Sequence, residues 1–327
     1  VAKIFLLDTN SFIYRAYHAA AHSKISLSTR AGFPTGAAFI FTKMLKKLMA
    51  EHKPEYLVSI LDAQGETFRD RLYPGYKANR KGETPNDLIR QIPHIERLLD
   101  LYHIPRLRVP DVEADDVIGT LASRYYEENL DNQIYVVTGD KDMFQLVNDR
   151  IFIVNPMKDL LADAAKVEEI VGVAPTQVVD VMALRGDAVD NVPGAPGIGK
   201  KGSVDIIREF GSLTVALDRA GEVKRKSYRE ALQNHRPQIE LSKKLVTLNR
   251  EVPVDIKFED MKLTEPDTAG LAAFYQELEF ASLLKNEALY AVEDFAEIVQ
   301  PDHVPTKADL QTTMSDDEAS AAIDAFL

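Results

Sequence analysis

Apolar residues in the first half of the chain fall into two alternating patterns. Short runs that are apolar at nearly every position are rich in β-branched and aromatic side chains: KIFLLD from Lys3, YLVSILD from Tyr56, IYVVTGD from Ile134 and IFIVN from Ile151. Such runs read as strands buried on both faces. Between them, Gly36 to Met49, Pro85 to Leu101 and a stretch from about Asp111 through VIGTLASRYYEE space their apolar residues at helical intervals, with Pro85 suited to a first turn. The alternation predicts an α/β fold, a mostly parallel central sheet flanked by helices. Two more helical patterns, TQVVDVMALRGD and SVDIIREFG, enclose a Gly/Pro-rich turn, NVPGAPGIGKKG. From about residue 291 the chain is acidic, dotted with Pro and rich in Ala and Ser, the pattern of a linker or tail. The division expected is a core over 1–175, a helical part over 176–290 and a tail over 291–327.

Composition narrows the possibilities. The 327 residues are 45% hydrophobic, ordinary for a globular protein of two packed units. No apolar run approaches the roughly 20 residues that span a bilayer, and the chain opens on a strand pattern, so neither a membrane anchor nor a signal peptide is expected. Cysteine is absent, which excludes disulfides, thiolate metal sites and Cys nucleophiles and is compatible with a cytoplasmic location. No GxSxG elbow supports acyl chemistry. The net charge of −12 argues against a nucleic-acid partner until it is mapped: the tail from Ala291 holds nine acids and one base, which leaves −4 for the body. Nine of the body's acids belong to one candidate site, and without them the body is basic.

Those nine carboxylates fall in five short segments: Asp8 in LLDTN, Asp62 in SILDAQ, Glu113, Asp115 and Asp116 in VEADD, Asp140 and Asp142 in TGDKD, Asp187 and Asp190 in GDAVDN. Ligands of an open parallel sheet gather beyond the carboxyl ends of its strands, so acids delivered there are expected to converge. Packed together they repel, and some take up protons unless a cation joins them. Oxygen ligands with no Cys and little His suit Mg²⁺ or Mn²⁺, not Zn²⁺. Any one segment also fits a turn or a helix start; the set of five points to metal. Two such ions about 4 Å apart can activate water and stabilise the leaving oxygen of a phosphodiester, with no nucleophilic side chain.

The basic residues fit a polyanion. FRDRLYPGYKANRKG carries Arg69, Arg71, Lys77, Arg80 and Lys81 against Asp70, interleaved with Phe68, Tyr73 and Tyr76, and a second basic region runs from Lys200 through Arg250. A solvated face explains either one alone. The glycine segment contains G-x-G-x-x-G (Gly197, Gly199, Gly202), but it follows a Pro-rich turn where a dinucleotide fingerprint needs a strand, and Lys201 stands where a P-loop needs Ser or Thr. A hairpin between two helices fits better, its glycine N–H groups and helix start gripping a phosphate with help from Lys200 and Lys201. Arg15, just past the first strand, is a candidate to meet a scissile or terminal phosphate. Tyr14 reads as helix packing. His18 and His22 lack a third ligand and read as surface or packed residues.

Together YRAYHA, PTGA, FRDRLYPGYKANR, VEADDVIGTLA, TGDKDMFQLV, ALRGDAVDNVPGAPGIG and ELEFASLL resemble, over residues 3 to 288, the 5′-nuclease (5′→3′ exonuclease and flap endonuclease) domain of bacterial DNA polymerase I. The resemblance implies a PIN-like nuclease fold and structure-specific cleavage at 5′ flaps and 5′ ends, removing flaps and primer RNA. It makes Asp8, Asp62, Glu113 and Asp115 the core of a first metal site with Asp116 beside it, Asp140 and Asp142 ligands shared with or leading to a second, and Asp187 and Asp190 the rest of that second set. It makes the segment about 66–84 a flexible arch, with Lys77 and Arg80 acting over the active site and Tyr76 stacking on an unpaired base; Arg69 and Lys81 belong to the same DNA-binding segment. It makes the glycine hairpin a helix–three-turn–helix element on duplex DNA, often with K⁺ at its carbonyls. It implies Mg²⁺ or Mn²⁺ as cofactor, nicked or flapped DNA as partner, either a polymerase domain in a parent chain or a stand-alone nuclease, and work in the bacterial cytoplasm at the nucleoid. Three positions depart from the family pattern: Thr9 where Gly is usual, Gly202 where Thr is common and Ser203 where Ala is common. The first is expected to alter a turn and the other two to loosen a helix start. A non-catalytic DNA-junction module and a PIN-like ribonuclease are the rival readings.

Overall fold

The computed structural model describes residues 2–22, 27–79 and 84–285. Arg80 and Lys81, and the whole tail from 291, lie outside the described residues. In chain order the elements are β1 (Lys3–Asp8), α1 (Thr9–His22), α2 (Gly36–His52), β2 (Tyr56–Ile60), α3 (Phe68–Leu72), α4 (Asn86–Leu101), β3 (Arg106–Leu107), α5 (Ala114–Glu128), β4 (Gln133–Val137), β5 (Ile151–Asn155), β6 (Leu160–Ala162), α6 (Ala164–Val171), α7 (Val178–Arg185), α8 (Lys200–Phe210), α9 (Leu213–Asp218), α10 (Lys226–Asn234), α11 (Arg236–Val246), α12 (Thr268–Glu277) and α13 (Ala281–Lys285). Among the described residues no helix is long and apolar enough to cross a membrane.

The six strands form one sheet in the order β3-β2-β1-β4-β5-β6, parallel throughout except for the edge strand β6. In β1 every residue from Ile4 to Asp8 is buried. Because successive side chains point to opposite faces, burial without alternation means that both faces are covered, as the apolar runs predicted. Helix α5 packs against β1, β2 and β4. The chain leaves β1 toward β2 on one side and meets β4 on the other, so the strand order reverses at β1, where such a sheet opens a crevice. Register puts Asp8 level with Ile60 and Leu7 level with Val137. The carboxyl ends of β1, β2 and β4 therefore finish side by side.

The chain divides into two compact units. The first comprises Val1–Phe68, Gly82–Val178 and Thr247–Tyr290. It reclaims Thr247 onward because side chains of the core catch that backbone: Gln145 Oε1 accepts from Leu248 N (3.1 Å), Asp116 Oδ1 from Asn249 N (2.8 Å) and Thr120 Oγ1 from Val252 N (3.1 Å). The second unit holds α7 to α11 together with Arg69–Lys81. Its core gathers Ile206, Ile207, Phe210, Leu213, Leu217, Leu232 and Ile239, all buried. Asp180, also buried, accepts from Leu213 N (2.9 Å) and pairs with Lys243 (2.8 Å).

Two helix starts differ from expectation. Pro85 caps α4 from outside its first turn. Helix α5 begins at Ala114, not near Asp111, whose positive φ of 65° is incompatible with a helix.

Candidate active site

Asp8 ends β1 and stands before the first residue of α1. Its Oδ1 accepts from Ser11 N (3.0 Å), the bond of a helix N-cap, and its Oδ2 accepts from the Thr138 hydroxyl (2.6 Å) just past β4. The side chain is 5% exposed. Thr9, expected to disturb this turn, starts α1 without positive φ and bonds Ser59 at 2.6 Å, so the position asks for no glycine. Asp62, exposed beyond β2, accepts from Asn10 Nδ2 and from Ala114 N, both at 2.8 Å, which ties it to the starts of α1 and α5. Asp140, beyond β4, accepts from Asp142 N at 2.8 Å.

These acids share one field. Burial pushes the Asp8 carboxyl from 3.8 up to about 6; its two hydrogen bonds oppose this, and the charges of Asp140 and Asp62 add to it. Arg15 answers them from α1. Its guanidinium covers Gly139, at the place where a side chain on that residue would stand, and its Nε reaches Ser11 Oγ at 3.4 Å. Burial lowers the pKa of Arg15, with Asp8 and Asp140 pulling the other way. Lys158, past β5, is lowered by burial and then by the charge of Arg15.

Glu113 and Asp116 have a structural task. They form a reciprocal capping box at the start of α5, and Asp116, fully buried, gives its second oxygen to Asn249 N. Asp115 lies half-buried between them in the first turn. Among the described residues no three acidic or histidine side chains are gathered tightly enough to enclose one ion. Asp8 and Asp62 are instead turned toward neighbouring N–H and O–H donors. The donor set still fits a hard divalent cation: oxygens only, at one sheet end, with Asp8 held against its own charge.

In the second unit Asp187 Oδ1 accepts from Val189 N (2.7 Å) and Asp190 N (3.2 Å), closing the GDAVDN loop. That loop holds the segment after α3. Lys77 N donates to Asp190 O (2.9 Å), Asn191 Nδ2 to Gly75 O (2.6 Å) and Asn79 Nδ2 to Ala188 O (3.1 Å). The described part of the expected arch is thus a five-residue helix followed by pinned turns. Two residues there that were expected to meet DNA are buried. Arg69 is 2% exposed, with Nε donating to Leu245 O (2.7 Å). Tyr76 is 7% exposed, with Lys77 Nζ 5.1 Å from its ring centroid.

The glycine hairpin keeps its predicted form. Gly197 has φ +76°, a conformation that favours glycine, whereas Gly199 is extended and caps α8. A Cβ on either would meet nothing within 4 Å, which leaves the hairpin backbone open to close approach. Lys200 and Lys201 are exposed at the start of α8. The expected loosening does not occur: Ser203 Oγ donates to Lys200 O (2.9 Å), and Tyr228 fills the space beside Gly202. His18 and His22 are exposed on α1.

Sequence reading missed Ser11, Asn10 and Thr138, whose polar groups orient the acids. Thr138 had a readable signal, a hydroxyl directly after a strand and two residues before Asp140.

Known proteins resemble the chain along most of its length. Residues 3–172 match the family model of the 5′-3′ exonuclease N-terminal resolvase-like domain, and residues 173–269 that of the 5′-3′ exonuclease C-terminal SAM fold. A 5′-3′ exonuclease of Aquifex aeolicus is 39% identical over 282 residues, 86% of this chain and 94% of that protein. DNA polymerase I of Bacillus caldotenax is 35% identical over 289 residues, 86% of this chain but 32% of the polymerase, so the chain spans about a third of that relative. Among solved structures, a bacteriophage T5 flap endonuclease in complex with DNA and metal ions is 19% identical, with 91% of this chain and 99% of that one covered and a TM-score of 0.63, a likeness of fold.

Proposed function

Because the chain belongs to the 5′-3′ exonuclease family, we propose that it is a structure-specific 5′-nuclease, a hydrolase that cuts DNA phosphodiesters at 5′ flaps, nicks and 5′ ends with two divalent cations, Mg²⁺ or Mn²⁺. The observation that carries this reading is Asp8, buried at the switch point of the sheet and pushed up to about 6 by burial, then by Asp140 and Asp62. A carboxylate so placed is stabilised by a cation, and the neighbouring carboxylates are the ligands that would hold it.

Asp8, Asp62, Glu113 and Asp115 are the proposed first ligand set, with Asp116 fixing the helix start that presents Asp115. Asp140 and Asp142 are proposed ligands for the second ion, as are Asp187 and Asp190 by family resemblance. When bound, such ions supply water activated at neutral pH and stabilise charge on the leaving oxygen. Arg15, packed on Gly139 beside Asp8 and Asp140, offers its guanidinium to a phosphate of the cut strand. Lys77 and Arg80 are proposed to act near the scissile bond. Gly197, Gly199, Lys200 and Lys201 would grip a duplex phosphate, with K⁺ at the hairpin carbonyls. Primer RNA and displaced flaps are the proposed biological substrates, at the nucleoid in the bacterial cytoplasm. A polymerase domain in the parent chain belongs to the same proposal.

A 5′-flap DNA substrate with Mg²⁺ tests the reading. The intact chain is expected to release the flap and Asp140→Asn is expected not to. Equal product from both, or none from the intact chain, would overturn it.

A further inference from the structure

Gly202, third residue of α8, is buried, and a Cβ there would stand 2.6 Å from Tyr228 Oη and 2.7 Å from carbons of its ring. The side chain missing from α8 leaves room for a tyrosine from the first turn of α10. That ring in turn carries Arg225, whose guanidinium carbon lies 4.1 Å from the ring centroid. Nη1 of Arg225 donates to Tyr228 Oη at 2.7 Å and Nε to Ser227 Oγ at 3.2 Å. The guanidinium thus lies over the Tyr228 ring and is held by two hydrogen bonds, and the same tyrosine packs against Gly202 in the first turn of α8. Lys200 and Lys201 stand on that turn.

The charges around it sort into two groups. Arg219 pairs with Glu222, Lys226 with Glu230, and Arg236 with Asp218 and Glu240. Among the described residues no carboxylate pairs with Lys200, Lys201, Lys224 or Arg225, all of them exposed. Paired cations already have their counterion. Unpaired ones gathered at the hairpin gain most from a polyanion, which releases its own counterions as they bind. Arg225 also gives up little rotamer freedom on binding, because Tyr228 has immobilised it beforehand.

We propose that Arg225, held by Tyr228 in the space left by Gly202, is a further duplex-backbone contact of the hairpin, taking a phosphate other than the one gripped at the start of α8. The proposal rests on the nuclease reading above. Tyr228 and Gly202 are positioning residues for it and touch no DNA.

The test is fluorescence anisotropy of a blunt DNA duplex with the full chain in EDTA across a salt series. Arg225→Ala is expected to weaken binding by about tenfold and to reduce the salt slope by about one. Gly202→Ala, which displaces Tyr228, and Tyr228→Ala are expected to weaken binding in the same direction, Tyr228→Phe less so. Lys226→Ala removes an equal charge already paired with Glu230 and is expected to stay within about twofold. The exposed Arg225 can be truncated without unfolding the chain, so its variant decides between the two outcomes. If Lys200→Ala with Lys201→Ala lowers the slope but Arg225→Ala matches Lys226→Ala, this inference falls and the nuclease reading stands. If the intact chain binds no duplex, both fall.

Discussion

The carboxyl end of the sheet and the start of α8 set opposite electrostatic problems. At the sheet end Asp8 is buried beside Asp62 and Asp140, and the folded chain meets the repulsion by raising its pKa to about 6. Lys200 and Lys201 at the start of α8 and Arg225 just before α10 are exposed, and water already solvates them. Burying like charges costs stability and calls for a small hard cation. Leaving cations exposed and unpaired costs little and suits a large polyanion. The first region should therefore gain stability when its charge is removed, and the second should lose only binding.

The largest effect separates activity from stability. Asp8→Asn is expected to cut flap cleavage by about 10³-fold or more, yet to raise the melting temperature in EDTA, because it removes the buried charge. A lower melting temperature would mean that the N-cap bond to Ser11 outweighs the repulsion. Next comes pH. An acid whose folded pKa is raised from 3.8 to about 6 lets the folded chain hold a proton that the unfolded chain releases. Its contribution is fully present below about pH 4 and is lost as pH rises to about 6, a change of about 3 kcal/mol. Chemical denaturation in EDTA should show that fall in the intact chain and lack it in Asp8→Asn. Asp116→Ala should cost about 2 kcal/mol in the same assay, since the amides of Glu113 and Asn249 lose a buried acceptor; no loss would deny it the structural task.

The smallest contrast lies in the hairpin. Gly197→Ala should cost about 1 kcal/mol through its positive φ. Gly199→Ala, extended and facing open space, should leave stability within about 0.5 kcal/mol and lower duplex affinity. Equal affinity for Gly199→Ala and the intact chain would remove close backbone approach at that residue.

Much of this was legible in the amino-acid order. Unbroken apolar runs announced β1, β2, β4 and β5, because strands buried on both faces need no alternation. Asp8, Asp62 and Asp140 were legible because each follows such a run. The burial of Arg69 and Tyr76 was not, because charge and aromaticity say nothing about burial, and a guanidinium can be satisfied inside by a carbonyl such as that of Leu245. The return of residue 247 onward to the first unit was hidden too, since it depends on Gln145, Asp116 and Thr120 accepting from a backbone far along the chain. Nor did Gly202 reveal its partner, which arrives from another helix.

Mn²⁺ binding read by electron paramagnetic resonance addresses the acidic cluster without relying on turnover. The intact chain is expected to bind Mn²⁺, with binding at least about tenfold weaker in Asp8→Asn. Equal Mn²⁺ affinity in the two proteins would contradict a metal site at the end of β1.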